Sequence, residues 1–314
     1  MKRTIIHFLC VIACSLAGLS CSKVHEDIQK EDAIRLKVAV TSVDTKAAAE
    51  AVPYRGTTPT SENPLNAHVF FSTQSGVYPH DPVSPYNLPA HSKVKFVDAT
   101  FTYPDMVNGE NMIYPAGDVP VYCVGLAPSD DKWTVSADNK VASHEIDGSV
   151  DLMYAPQITG KWSQHFPMQE YRHALTWIKI AVCATDVYAK DFWGDITEIE
   201  IESSSMMNLE LATGALSYSD EQTQITAFEG TYELKPIVCE IGSVFCSPAQ
   251  KLIITIKSER ITNKKVIIQL PSQSVLEETG KLYIVELYFN SFDVVEGKCS
   301  IQPWEYQDEN ISMK

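Results

Sequence analysis

The residues best placed to do chemistry in this chain are its histidines, its paired acids and four of its tryptophans. Beyond the N-terminal segment the histidines are His25, His68, His80, His91, His144, His165 and His173, and only the last two lie close together. None has zinc-motif spacing with a cysteine, and no Cys-x-x-Cys occurs. His173 opens a long apolar run and is either a chemical group or the polar start of a buried strand. A serine hydrolase needs its nucleophile on a sharp turn, yet no Gly-x-Ser-x-Gly is present. Ser75-Gly76 and Gly148-Ser149 read as ordinary turns. Glu198, Glu200 and Glu202 alternate along one strand face, which is the pattern of a solvated face rather than of a glycosidase pair. Calcium and phosphate loops are missing from the sequence. Trp133, Trp162, Trp193 and Trp304 offer flat apolar faces that suit sugar rings, and equally suit a core. The expectation is a protein with no catalytic set, no metal and no cofactor.

What must position these residues is a large core. The chain has 314 residues, 45% of them apolar, and a formal charge of −15. An acidic surface of that size argues against nucleic acid and anionic membranes as partners. Met1-Lys2-Arg3 followed by an apolar stretch to Leu19 reads as a secretory signal over residues 1–20, too short to span a membrane. Ala17-Gly18-Leu19-Ser20-Cys21 resembles a bacterial lipobox, with Cys21 the acylated residue. Val11-Ile12-Ala13-Cys14 is a rival that leaves a very short apolar region, and an ordinary cut near Ser20 would leave Cys21 a plain thiol. Cys123, Cys183, Cys239, Cys246 and Cys299 are too few and too scattered for a disulfide framework, although a Cys239–Cys246 bridge is open.

Residues 21–33 form a polar tether. Ile34, Leu36, Val38 and Val40 then alternate with Arg35, Lys37 and Thr41, as in a strand with one buried face. Residues 44–66, rich in Ala, Pro, Thr and Ser, read as a long exposed loop carrying Lys46 and Arg55. With that first strand, some fourteen short apolar segments separated by turn residues are expected, among them 67–72, a strand alternating from Val97 to Tyr103, 119–126, 173–182, 196–203, 232–238, 252–257 and 282–289. In 173–182 both faces are apolar around Trp177, so it is expected at the centre of a sandwich. The fold class is all-β, and the number of strands exceeds one seven-stranded sandwich. The expected division is an N-terminal β-sandwich domain over 34–215 and a C-terminal one over 216–314.

The order of several motifs is more specific than any one of them. Asn111-Met112-Ile113-Tyr114-Pro115 comes first, then the apolar run 119–128, then Asp151-Leu152-Met153-Tyr154-Ala155. Tyr171-Arg172-His173-Ala174-Leu175-Thr176-Trp177-Ile178-Lys179-Ile180 and Asp195-Ile196-Thr197-Glu198-Ile199-Glu200-Ile201 follow, with Ile301-Gln302-Pro303-Trp304 near the end. In this order they resemble the fimbrillin family of Bacteroidales over most of residues 34–304. The resemblance implies two transthyretin-like (Ig-like Greek-key) β-sandwich domains in series and a structural subunit of a cell-surface fimbria, or pilus, that supports adhesion. It implies a lipoprotein precursor at the outer membrane whose first strand, Ile34 to Val43, is removed by a protease. The vacated groove then takes a donor strand from another fimbrial subunit. The cut would follow Lys46 or Arg55. Relatives carry Thr-Arg-Ala where this chain has Thr45-Lys46-Ala47, which favours Arg55 for an arginine-specific cut. The tail 305–314 is short for a donor strand, so a tip, anchor or non-polymerising role is open. The alternative is a non-polymerising surface lipoprotein that binds glycans or host proteins.

Overall fold

A computed structural model describes residues 33–40, 59–78, 91–98, 102, 112–270 and 279–302. Its regular structure is almost entirely β. The strands of the first half are β1 (Val38–Val40), β2 (Leu65–Ser72), β3 (His91–Phe96), β4 (Val121–Ala127), β5 (Thr134–Val135), β6 (Val141–Glu145), β7 (Met153–Gly160) and β8 (Gln169–His173). β9 (Thr176–Ala184) follows, then a five-residue helix, α1 (Ala189–Trp193), β10 (Ile196–Ser204), β11 (Met206–Glu210) and β12 (Leu216–Tyr218). The rest are β13 (Gln222–Tyr232), β14 (Cys239–Cys246), β15 (Lys251–Ser258), β16 (Lys264–Gln269), β17 (Leu282–Phe289) and β18 (Val295–Gln302).

Six strands form one sheet in the order β1-β8-β7-β4-β2-β3. Its central strands β7, β4 and β2 are covered on both faces, and strand pleat sorts their side chains between two cores, whereas β3 and β8 keep one face exposed. Leu65, Ala67, Val69 and Phe71 of β2, Val121 and Cys123 of β4, and Met153 and Ala155 of β7 enter one hydrophobic cluster. Phe70, Val124, Leu126 and Tyr154, from the same strands, enter the other. There they meet Ala142, Met207 and Leu209 of the four-stranded sheet β12-β11-β6-β5. β10 and β11 are nearly continuous, so the chain passes at Ser205 from one sheet into another.

The second cluster extends into two further four-stranded sheets, β13-β10-β15-β16 and β14-β9-β17-β18. In β10 the alternation is as expected: Ile196, Ile199 and Ile201 are fully buried. A register shift between Ile196 and Glu198 accommodates the three-residue step. On the other face Lys257 of β15 reaches Glu198 at 2.8 Å and Glu200 at 3.0 Å, so the acids are held in cross-strand ion pairs. β9 is buried along nearly its whole length, flanked by antiparallel β14 and parallel β17. Lys179 sits within it, 1% exposed, with its Nζ 3.1 Å from Glu240 and 5.0 Å from the centre of the Trp177 ring.

Several expectations about elements change. The apolar run from His173 is two strands: β8 ends at His173 and β9 begins at Thr176, in different sheets. A strand over 232–238 does not form, because Pro236 cannot donate to a ladder. The strand lies one step later, at β14. Its Gly242 lets β14 approach β13 so closely that a Cβ there would fall 2.0 Å from the Ala227 carbonyl oxygen. Val97, expected in a strand, follows β3 and is exposed; of residues 99–103 only Thr102 is described. Cys239 and Cys246 stand at opposite ends of β14, on the order of 20 Å apart at strand rise, beyond the reach of a disulfide. Residue 215 lies in the turn between the paired strands β11 and β12, and β9 and β10 share sheets with strands beyond it.

Candidate functional site: the groove filled by the first strand

The segment 33–40 has two kinds of neighbour. Its first half meets Thr102, Met112 and Ile113: Ala33 bridges Ile113, the Ile34 N–H donates to the Met112 carbonyl at 2.6 Å, and Leu36 and Thr102 exchange two backbone bonds of 2.9 Å. Its second half, β1, lies parallel to β8, pairing Val38 with Gln169 and Val40 with Tyr171. The Gln169 N–H donates to the Lys37 carbonyl at 2.8 Å. Ile34, Leu36, Val38 and Val40 all point inward and are at most 3% exposed, while Arg35, Lys37 and Ala39 are only half-buried. The strand whose alternation was legible in sequence therefore does line the core, at the sheet edge.

The floor of this groove is aromatic and unexpectedly polar. Phe71, Phe96, Tyr114, Phe166 and Tyr171 belong to the same cluster. Tyr171 and Phe96 lie 6.4 Å apart, and the Tyr114 hydroxyl accepts from the Phe166 N–H at 3.0 Å. Burial pushes the Tyr114 phenol up to about 12, the backbone hydrogen bond from Phe166 opposing it. Gln169 is fully buried, and its side-chain amide donates to Cys123 Sγ at 3.3 Å. Gln169 Oε1 and Tyr171 Oη have no hydrogen-bond partner among the described residues. Burial drives the Cys123 thiol and the Tyr171 phenol well above their ordinary values. Tyr171 reaches across β7 to β4, where only a glycine fits: a Cβ on Gly125 would lie 2.0 Å from Tyr171 Oη. Tyr114 and Tyr171 stand in the motifs quoted from the sequence and Cys123 among its cysteines, but no role in a groove was read for any floor residue. The one available signal was Gln169, a polar residue in phase with Tyr171 and His173.

The other residues with chemical promise fall elsewhere. His173 Nδ1 lies 3.0 Å from the Asp151 carboxylate, but the two are 5% and 2% exposed, too enclosed to meet a substrate. His165 packs edge-on against Tyr114. No group of three His, Cys, Asp or Glu among the described residues converges as a metal site. Trp193 is wholly buried and Trp162 is exposed. Trp133 lines an open cleft of about 570 Å³ with His68, Phe70, Asp130, Asp131 and Asn139. Its ring is fixed by an Nε1–H bond to the Pro128 carbonyl at 2.9 Å and by edge contact with His144 at 4.8 Å. Lys93, 2.8 Å away, holds the exposed Asp131 carboxyl below its ordinary value. Cys21, Lys46, Arg55 and Trp304 lie outside the described residues, and no described helix is long and apolar enough to cross a membrane.

Solved structures share this architecture. A proposed cell-adhesion protein from Bacteroides ovatus is 13% identical, covers 88% of this chain and 99% of its own, and superposes with a TM-score of 0.52. One from Bacteroides uniformis is 15% identical, with 86% and 98% covered and a TM-score of 0.50. The fimbrial anchor protein Mfa2 from Porphyromonas gingivalis is 11% identical over 87% of this chain and 100% of its own, at a TM-score of 0.42. At such identities the likeness to the two Bacteroides proteins is one of fold. No protein of curated function matches the chain. The family model described as fimbrillin-like matches residues 69–304, well over half of the sequence, and on that match the chain belongs to the fimbrillin-like family.

Proposed function

We propose that this chain is a structural subunit of a cell-surface fimbria, joined to its neighbours by donor-strand addition once its first strand is removed. Members of the family are structural surface proteins rather than enzymes, and the absence of a catalytic set from the sequence agrees with that. On this reading the precursor is held at the outer membrane through acylated Cys21, and a cut after Lys46 or Arg55 releases Ile34, Leu36, Val38 and Val40 from the groove.

The observation that carries the reading is how that strand is held. Four inward side chains contribute about 6–12 kcal/mol of apolar burial, an upper estimate. A handful of backbone hydrogen bonds adds roughly 0.5–1.5 kcal/mol each. Ordering eight residues of backbone costs about 8–16 kcal/mol. The terms are of one size, so the segment's net hold on the groove is small. Its alternating side chains and edge position are what an intermolecular strand would reproduce.

Treating the purified chain with trypsin is expected to yield a ladder of multimers on a denaturing gel, with new N-termini at Ala47 or Gly56. Failure to polymerise under any cleavage condition would sink the stalk role. The cleft at Trp133 favours a second reading, a non-polymerising surface protein that binds glycans or host ligands. On that reading Trp133→Ala lowers glycan affinity in calorimetry by at least about tenfold, roughly 1.4 kcal/mol, whereas Trp162→Ala does not.

A further inference from the structure

We propose that the groove selects its occupant by a hydrogen-bonding side chain at the place now held by Val38, and that the chain's own strand is a deliberately incomplete fit. The inference rests on the strand-replacement reading above and specifies which strand the groove prefers.

Replacement requires the incoming strand to hold better than the outgoing one. Backbone bonds to β8, Thr102 and Met112 are available to any extended chain, and apolar side chains fill the inward positions about equally well. A preference must come from groups the resident strand leaves unsatisfied. The floor supplies them: Gln169 is fully buried, its amide NH₂ is turned to the weak acceptor Cys123 Sγ, and its Oε1 has no partner among the described residues. A buried polar atom in that condition bears its full desolvation cost, and a donor brought to it recovers that cost.

Parallel pairing places Val38 directly beside Gln169 on the core-facing side, and Val38 offers only methyl groups. Threonine has the shape of valine and adds one hydroxyl donor, which matches the acceptor Oε1. The neighbouring inward position is different. Val40 pairs with Tyr171, whose hydroxyl is carried away across β7 to Gly125 on β4, out of line with the edge strand. The preferred occupant is therefore an extended segment of another subunit with apolar residues at three alternate positions and Thr or Ser at the third of the four.

Two measurements test this. In the intact chain, Val38→Thr should slow amide hydrogen exchange over residues 36–40 by about tenfold, since a closed strand with one more bond opens less often. In a Gln169→Leu background the same change should speed it, because the hydroxyl then has no acceptor. Faster exchange of equal size in both backgrounds overturns the proposal. Second, two eight-residue peptides are offered to the wild-type chain after trypsin treatment: residues 33–40 as they stand, and the same with Thr in place of Val38. Native mass spectrometry should show the Thr peptide incorporated about tenfold more. Equal incorporation of the two overturns the selection proposed here and leaves strand replacement standing. Incorporation of neither overturns strand replacement, and this inference with it.

Discussion

Trp193→Ala is expected to lower the free energy of unfolding by about 3–5 kcal/mol, the range for emptying an aromatic site in a packed core. The side chain is completely buried. Its ring meets Phe289 edge-on, with centroids 5.1 Å apart at 87°, and its Nε1 donates to the Asn290 carbonyl at 2.8 Å. Truncation leaves a cavity between β17 and α1 and strands that carbonyl. It also releases α1, since five residues cannot sustain a helix alone and depend on this anchor. Urea denaturation followed by circular dichroism measures the loss. A change below about 1 kcal/mol, the scale of an ordinary surface substitution, would show that the site collapses around the smaller residue.

Leu36→Ala is expected to act differently although Leu36 is equally buried. A core leucine truncation costs about 2–5 kcal/mol when the whole fold must bear it. Here the net hold of the segment is small, so the cost exceeds what retains it and the strand detaches locally. Trypsin should then cut rapidly after Arg35 and Lys37, both only half-buried in the intact protein. The urea midpoint of the larger core should shift little, by less than about 0.5 kcal/mol. Should the chain instead unfold as one unit, with the midpoint lowered by the full amount, the first strand is integral to the fold and strand replacement loses its physical basis.

Much of the fold was legible where alternation is clean and local. The Ile/Glu period of β10 announces its buried face, and the apolar run around Trp177 announces a strand covered on both sides. Legibility fails where the decisive contact is remote. Nothing near Lys179 reveals Glu240, and nothing near His173 reveals Asp151. The break between β8 and β9 carries no glycine or proline, so a change of sheet at Ala174–Leu175 looks like continuous strand. Pro236 was a readable warning that the strand begins later. Trp193 illustrates the limit of reading residue types: as a flat aromatic it suits a sugar, and only its neighbours make it core. At the groove, the edge strand was visible from its own period, whereas its floor comes from β2, β3, β4, β8 and the segments that carry Tyr114 and Phe166, and exists only after folding.

The sorting of side chains in the six-stranded sheet has a last consequence, for how each strand finds its register. In β2, β4 and β7 both faces enter apolar cores, so a slip of one residue exchanges Val69 for Phe70 without exposing either to water. Those strands are proof-read by volume, through the mismatch between two differently shaped interiors. Along 33–40 a one-residue slip drives Arg35 and Lys37 inward, so its alignment is proof-read by charge. On the reading proposed above, the strand that a newcomer would replace shares with β10 and its alternating glutamates an address written in charge.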